Sequence, residues 1–132
     1  MKICVTASGT ALDAQVDPRF GRASHFVIVD PENMAFEAIA NTAAGAASGA
    51  GIQAAQIMAK NGVDIVITGN VGPNAFQALS SAGTRIIVGA NGTVKEVIEK
   101  YKKGELEETE APTVGGHFGR GRGMGRGRRR QG

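Results

Sequence analysis

Asp64-Ile-Val-Ile-Thr-Gly-Asn-Val-Gly-Pro-Asn-Ala-Phe76 sets the fold class of this chain. Asp64 to Thr68 (DIVIT) is a near-continuous β-branched apolar run, the kind of strand that is buried on both faces of a parallel sheet. Gly69 to Asn74 (GNVGPN) then turns the chain, and Pro73 suits the first turn of a helix, where its missing N–H costs nothing. That helix is expected to run through Ala82 and to stop at Gly83 in the C′ position. A strand, a tight turn and a helix, followed at Arg85 to Val88 by another buried strand, make a β–α–β unit.

Toward the N-terminus, Ile3 to Ala7 reads as a buried first strand and His25 to Asp30 (HFVIVD) as a second, stopped by Pro31-Glu-Asn33. Met34 to Ala40 alternates large apolar residues with small or charged ones, a period of two that predicts a half-buried strand in a hairpin with the second. A small-residue loop, Asn41 to Gly51, leads to a helix over about Gly51 to Asn61, which Asn61-Gly62 would cap. Near the other end, Thr93-Val-Lys-Glu96 is a capping box. Val94, Val97, Ile98 and Tyr101 lie on one face of the helix it opens, with Glu96–Lys100 and Glu99–Lys103 as i,i+4 pairs. The order ββ β α β α β α implies an α/β domain whose mixed five-stranded sheet contains an antiparallel hairpin and is covered by helices. The domain is expected to occupy residues 1–110, and residues 111–132 a disordered Gly/Arg-rich tail.

Charge divides the chain at the same place. The net charge of +3 and pI near 9.4 suggest a basic protein. However, residues 115–132 hold six arginines, eight glycines and no acid, while nine Lys/Arg and twelve Asp/Glu precede them. The body is therefore mildly acidic, and its function has to be read apart from the tail. With one cysteine, Cys4, no intrachain disulfide can form, which points to a reducing compartment. The first residues lack a signal-peptide core, and no apolar run reaches the roughly 18 residues that span a bilayer. The chain is expected to be cytoplasmic, with no membrane partner, as a monomer or weak homodimer.

Chemistry concentrates in few places. Gly69, Asn70, Gly72 and Asn74 sit where a buried strand passes into a helix, the position at which ligands gather in open α/β sheets. Free N–H groups there favour an anion; the alternative is a tight turn that needs glycine for geometry alone. Arg19 and Arg22 flank Phe20-Gly21, and their guanidinium forks suit an anionic ligand, or else pair with Asp13 and Asp17. Cys4 and His25 are the soft or borderline metal ligands of the body, although Cys4 lies inside an apolar strand where a cysteine is usually plain core. No C-x-x-C or H-x-x-x-H spacing accompanies them. Gly49-x-Gly51-x-x-Ala54 formally fits a dinucleotide fingerprint, but a long loop separates it from the preceding strand, so the glycines are assigned to close approach of the helix to the sheet or a ligand. The first strand carries no carboxylate of the kind a metal-dependent nuclease requires, and there is no Walker A lysine or G-x-S-x-G. The body reads as non-catalytic.

Phe20-Gly-Arg-Ala23, Ser48-Gly-Ala-Gly-Ile-Gln-Ala-Ala-Gln56, Gly62-Val-Asp-Ile-Val-Ile-Thr-Gly69 and Gly72-Pro-Asn-Ala-Phe76, followed by the Ala82-Gly83 turn, form an ordered set spanning residues 1 to about 103. In order and spacing the set resembles the dinitrogenase iron–molybdenum cofactor biosynthesis domain, the domain of NifX and of the C-terminal part of NifB. The Gly/Arg-rich end looks like that of small stand-alone archaeal members. The resemblance implies a ribonuclease-H-like three-layer α/β/α fold. It further implies a carrier whose cargo is a metal–sulfur cluster or cofactor precursor of the Mo/Fe or Mo/Cu type. The implied partners are cofactor-assembly proteins or an apo-metalloenzyme. Arg19, Arg22, Gly49, Gly51, Gly69, Asn70, Gly72 and Asn74 would then contact the cargo, with His25 and Cys4 as candidate metal ligands. The tail adds a competing expectation: binding of nucleic acid, or of an acidic protein, through Gly115–Gly132.

Overall fold

The computed structural model describes residues 1–113. Five strands and three helices run in the order β1 (Ile3–Ala7), β2 (His25–Val29), β3 (Phe36–Ala40), α1 (Ala50–Lys60), β4 (Ile65–Ile67), α2 (Pro73–Ser81), β5 (Arg85–Ile87) and α3 (Val94–Lys102). They build one mixed sheet of order β3-β2-β1-β4-β5. β2 runs antiparallel to both β1 and β3, whereas β4 and β5 run parallel to β1. Because β1 and β4 are central, Ile3, Cys4, Val5, Ile65, Val66 and Ile67 are all fully buried, as the unbroken apolar runs require.

Successive side chains along a strand face opposite ways, so the sheet divides its apolar residues between two cores. On one face Cys4, Phe26, Ile28, Val66 and Ile86 pack with Ala54, Met58 and Leu79 of α1 and α2. On the other, Ile3, Val5, Val27, Val29, Ile65 and Ile67 meet Val94, Val97 and Ile98 of α3, with Leu12 and Val16 of the loop after β1 beside them. This is the three-layer α/β/α arrangement expected from the sequence.

Most elements end within a residue of that expectation, and the largest shift, of two residues, falls in the hairpin. The hairpin strand β3 starts at Phe36, not Met34, because Met34 adopts a left-handed conformation (φ 62°) in the turn. The turn closes through Met34 N–H to Asp30 O and Asp30 N–H to Ala35 O, each 2.8 Å. Beyond α3 the chain runs back along β5: Glu108 bridges Ile87, and Thr109 N–H donates to Ile86 O at 2.7 Å. It continues to Thr113, whose N–H donates to Val71 O at 2.9 Å. The expected Gly/Arg tail otherwise lies outside the described residues.

The register aligns the ends of the sheet. Ala7, Ala40, Ile67 and Ile87 finish β1, β3, β4 and β5 on a common edge, since His25 pairs with both Ala7 and Ala40. The loop after β1 leads toward β2 on one side, and the loop after β4 leads toward β5 on the other. The connections diverge between β1 and β4, which makes that point the topological switch of the sheet.

Candidate functional site

Two loops are sewn together at this switch point. Thr68 Oγ1 and Thr6 Oγ1, both buried, lie 2.8 Å apart across the ends of β4 and β1. Thr6 also donates its hydroxyl to Asp17 O at 2.6 Å, so the proton of the pair bond comes from Thr68. Asn70 N–H donates to Pro18 O at 2.7 Å, which sets Arg19 alongside Asn70. Gly69 is required here because a Cβ would stand 2.6 Å from Pro18 Cα. These contacts fix the backbone from Asp17 to Arg22 against the β4–α2 turn.

Phe20 supplies the apolar anchor of the same loop. It is 2% exposed, and its ring stands 6.0 Å from that of Phe26. Burying Phe20 turns its neighbours Arg19 and Arg22 outward. Arg19 pairs with Asp17 at 3.3 Å while its side chain stays 66% exposed. The hydrogen bonds that Arg19 donates to Asp17, reinforced by the carboxylate's charge, hold the guanidinium even more firmly protonated than usual. Arg22 is braced differently: its Nη1 donates to Ala44 O at 2.8 Å and Ala46 O at 2.7 Å, leaving Nε and Nη2 to other acceptors. Asn41, almost fully buried, completes the frame by donating to Gly21 O and Ala23 O.

The N-termini of α1 and α2 arrive beside this loop at very close range. A Cβ on Gly51 would meet Ala75 Cβ at 2.9 Å, and one on Gly21 would meet Gly51 N at 2.9 Å. Gly21, Gly51 and Ala75 thus form a contact that only small residues permit. Neither N-cap, Gly49 (φ 74°) or Gly72, offers a side chain to the first-turn amides, and Pro73 begins α2. The two helices therefore present uncapped N–H groups and the positive ends of their dipoles in the same place.

These pieces enclose an open cavity of about 400 Å³ lined by Arg19 to Arg22, Gly49 to Ile52, Asn70 and Gly72 to Ala75. Of the residues expected from the sequence to contact cargo, Arg19, Arg22, Gly49, Gly51, Asn70, Gly72 and Asn74 line it. Gly69 lies behind, packed against Pro18. The two candidate metal ligands lie elsewhere. Cys4 is wholly buried under α1 and α2, where loss of solvent pushes its thiol pKa well up and keeps it protonated. His25 sits at the start of β2 with Nδ1 3.0 Å from Ser24 Oγ, outside the cavity lining. Among the described residues no three His, Cys, Asp or Glu side chains gather to hold a metal ion.

Reading the sequence missed Thr6, Thr68 and Asn41, which position the loops without lining the cavity, whereas Asp17 was expected as an arginine partner and pairs with Arg19. A buried threonine at a strand end carries no distinguishing sequence pattern; only the pairing of β1 with β4 unites Thr6 and Thr68.

The chain is similar to known proteins over most of its length. The family model described as dinitrogenase iron-molybdenum cofactor matches residues 1–104. The chain belongs to this family. An uncharacterized protein of Methanocaldococcus jannaschii is 32% identical over 99 residues, covering 73% of this chain and 84% of that one. The apo form of the orange protein from Desulfovibrio gigas is 43% identical with a TM-score of 0.84, covering 86% of this chain and 96% of its own. A Thermotoga protein provisionally described as NifB is 36% identical with a TM-score of 0.76, covering 87% and 98%. As a member of the dinitrogenase iron-molybdenum cofactor family, the chain shares its fold with the orange protein and the Thermotoga protein. No helix among the described residues is long and apolar enough to cross a membrane.

Proposed function

We propose that this protein is a non-catalytic carrier that holds an anionic metal–sulfur cluster, or a molybdenum or iron cofactor precursor, in the switch-point cavity. The observation that carries the reading is the convergence of two uncapped helix N-termini and two arginines on one open cavity of about 400 Å³. Every lining group with a strong electrostatic preference favours negative charge. The cavity also lies within the common size range of small-ligand sites. Membership of the dinitrogenase iron-molybdenum cofactor family supports the choice of cargo over other anions.

Such a site grips by charge, hydrogen bonds and shape. Arg22, with one nitrogen braced on carbonyls, offers its remaining N–H groups as a preset fork, and Arg19 adds a second cation at the rim. Sulfide or oxide ligands of a cluster accept such hydrogen bonds without entering covalent exchange with the protein. Release to a cofactor-assembly protein or apo-metalloenzyme then requires no protein–metal bond to break, which suits a carrier.

The test is anaerobic binding of tetrathiomolybdate, alone and with copper(I) or iron(II), followed by metal analysis after gel filtration. We expect retention by the native chain. Arg22→Gln should weaken binding about tenfold, since a charge-assisted hydrogen bond contributes about 1.5–3 kcal/mol. Absence of any retained molybdenum or iron would refute the carrier reading.

A further inference from the structure

The two arginines of the cavity are held by partners of different kinds. Arg22 Nη1 donates to Ala44 O and Ala46 O at 2.8 and 2.7 Å. Those acceptors are neutral, so the charge of Arg22 stays available to a ligand. Arg19 rests on a carboxylate instead: its Nε donates to Asp17 Oδ1 and its Nη2 to Asp17 Oδ2, each at 3.3 Å. Both contacts are long for charge-assisted hydrogen bonds, which commonly measure about 2.7–2.9 Å. An exposed pair of this geometry contributes little to stability, so the guanidinium exchanges partners at small cost.

Asp17 is the fixed member of the pair. Its N–H donates to Thr6 O at 2.9 Å and its carbonyl accepts from Thr6 Oγ1 at 2.6 Å, which ties the residue to β1. Its side chain is only 11% exposed, and Oδ1 accepts the backbone N–H of Arg19 at 2.9 Å. That bond does not depend on where the guanidinium points. The acid therefore keeps a partner when Arg19, whose side chain is largely exposed and lines the cavity, turns to an anion. Cargo and Asp17 thus compete for the same donors, Nε and Nη2 of Arg19.

We propose that Asp17 is a built-in competitor of the anionic cargo: it pairs with Arg19 until cargo displaces it, and reclaims Arg19 as the cargo departs. The proposal rests on the anion-carrier reading of the cavity. Arg22 is then the standing anchor and Arg19 the exchangeable clamp. Asp17 sets the affinity below what two unopposed arginines would give, and offers Arg19 a partner at the moment of release. For a protein that hands its passenger on, that division favours turnover over retention.

The experiment compares the full-length native chain with Asp17→Asn, Arg19→Gln and the double variant. Tetrathiomolybdate is the probe, and its affinity and dissociation rate are measured anaerobically at low salt. Asn retains an Oδ1 acceptor for the Arg19 N–H while removing the charge. Asp17→Asn should bind about fivefold more tightly, chiefly through slower dissociation. Its thermal midpoint should stay within about 5 °C of the native one. A damaged loop would weaken binding, so a gain in affinity cannot arise from misfolding. In the Arg19→Gln background the same change should gain less than about twofold, because the disputed guanidinium is gone. Should Asp17→Asn fail to fold, Asp17→Ser, whose hydroxyl also accepts from the backbone two residues on, replaces it under the same outcomes. Equal affinities of the native chain and Asp17→Asn, with the probe bound by both, overturn the competitor and leave the carrier reading standing. Weaker binding by a folded Asp17→Asn overturns it too, and makes Asp17 a positioning residue. A gain undiminished by Arg19→Gln assigns the effect to direct repulsion of the cargo and overturns the exchange. If no chain binds the probe, both readings fall.

Discussion

Among single residues, the cavity is held open by what is missing from side chains. Gly51 and Ala75 let α1 and α2 approach until a Cβ on Gly51 would sit 2.9 Å from that of Ala75. Gly51→Ala gains about 0.5–1 kcal/mol of helix propensity but forces two rigid groups apart at a typical cost of about 1–3 kcal/mol. Overpacking wins, and the variant should lose about 1 kcal/mol in denaturant unfolding. The double change Gly51→Ala with Ala75→Gly should recover most of the packing loss, since it moves one methyl across the same contact. A double variant no better than the single would show that the contact is not the cause. The sequence placed Gly51 near helix and ligand, but a G-x-G-x-x-A spacing alone could not say which neighbour required it. Gly69 is similar: its place at a strand end was legible, whereas the need to clear Pro18 depends on a chain crossing far away in sequence.

Among the elements, α3 was the most legible, because its signals are local. Thr93 Oγ1 accepts from Glu96 N–H at 3.1 Å and Glu96 Oε1 accepts from Thr93 N–H at 2.9 Å, the reciprocal cap that T-V-K-E announces. Thr93→Ala should cost about 1 kcal/mol in thermal or denaturant unfolding. The cap has a pH signature. Hydrogen bonds from Thr93 hold the Glu96 carboxyl below its usual range, so the folded state binds its proton less readily than the unfolded state does. That stabilisation is complete above the unfolded value and is lost as pH falls through the lowered folded one. The stability gap between native chain and Glu96→Gln should thus persist at neutral pH and close below about pH 4. A gap unchanged down to about pH 3 would exclude the charge as its source. The strands were legible as apolar runs, although β3 began late because nothing in Met34 itself announces a left-handed turn residue.

Across the whole molecule, the sheet gathers scattered motifs around one cavity. FGRA, SGAG and GNVGPN lie far apart in sequence, and register brings them to one edge between β1 and β4. The arginines and glycines could be nominated from sequence because charge and strand-end position are local properties. Thr6, Thr68 and Asn41 could not, because their partners are set by topology. A site of guanidinium and amide donors has no group that titrates near neutrality, so tetrathiomolybdate affinity should stay flat between about pH 7 and 9. An affinity that climbs toward about pH 9 would point to a thiolate ligand and against a site built on charge and amides. Cys4 makes that outcome chemically distinct, for the only thiol of the chain is sealed beneath two helices. The protein thus has no exposed thiol with which to scavenge stray copper, form mixed disulfides or trade sulfur with a cluster in the cavity. Whatever sulfide a loaded carrier contains would have arrived with the cargo, so labile sulfide per metal should report the composition of the donor's product rather than any contribution from the vessel.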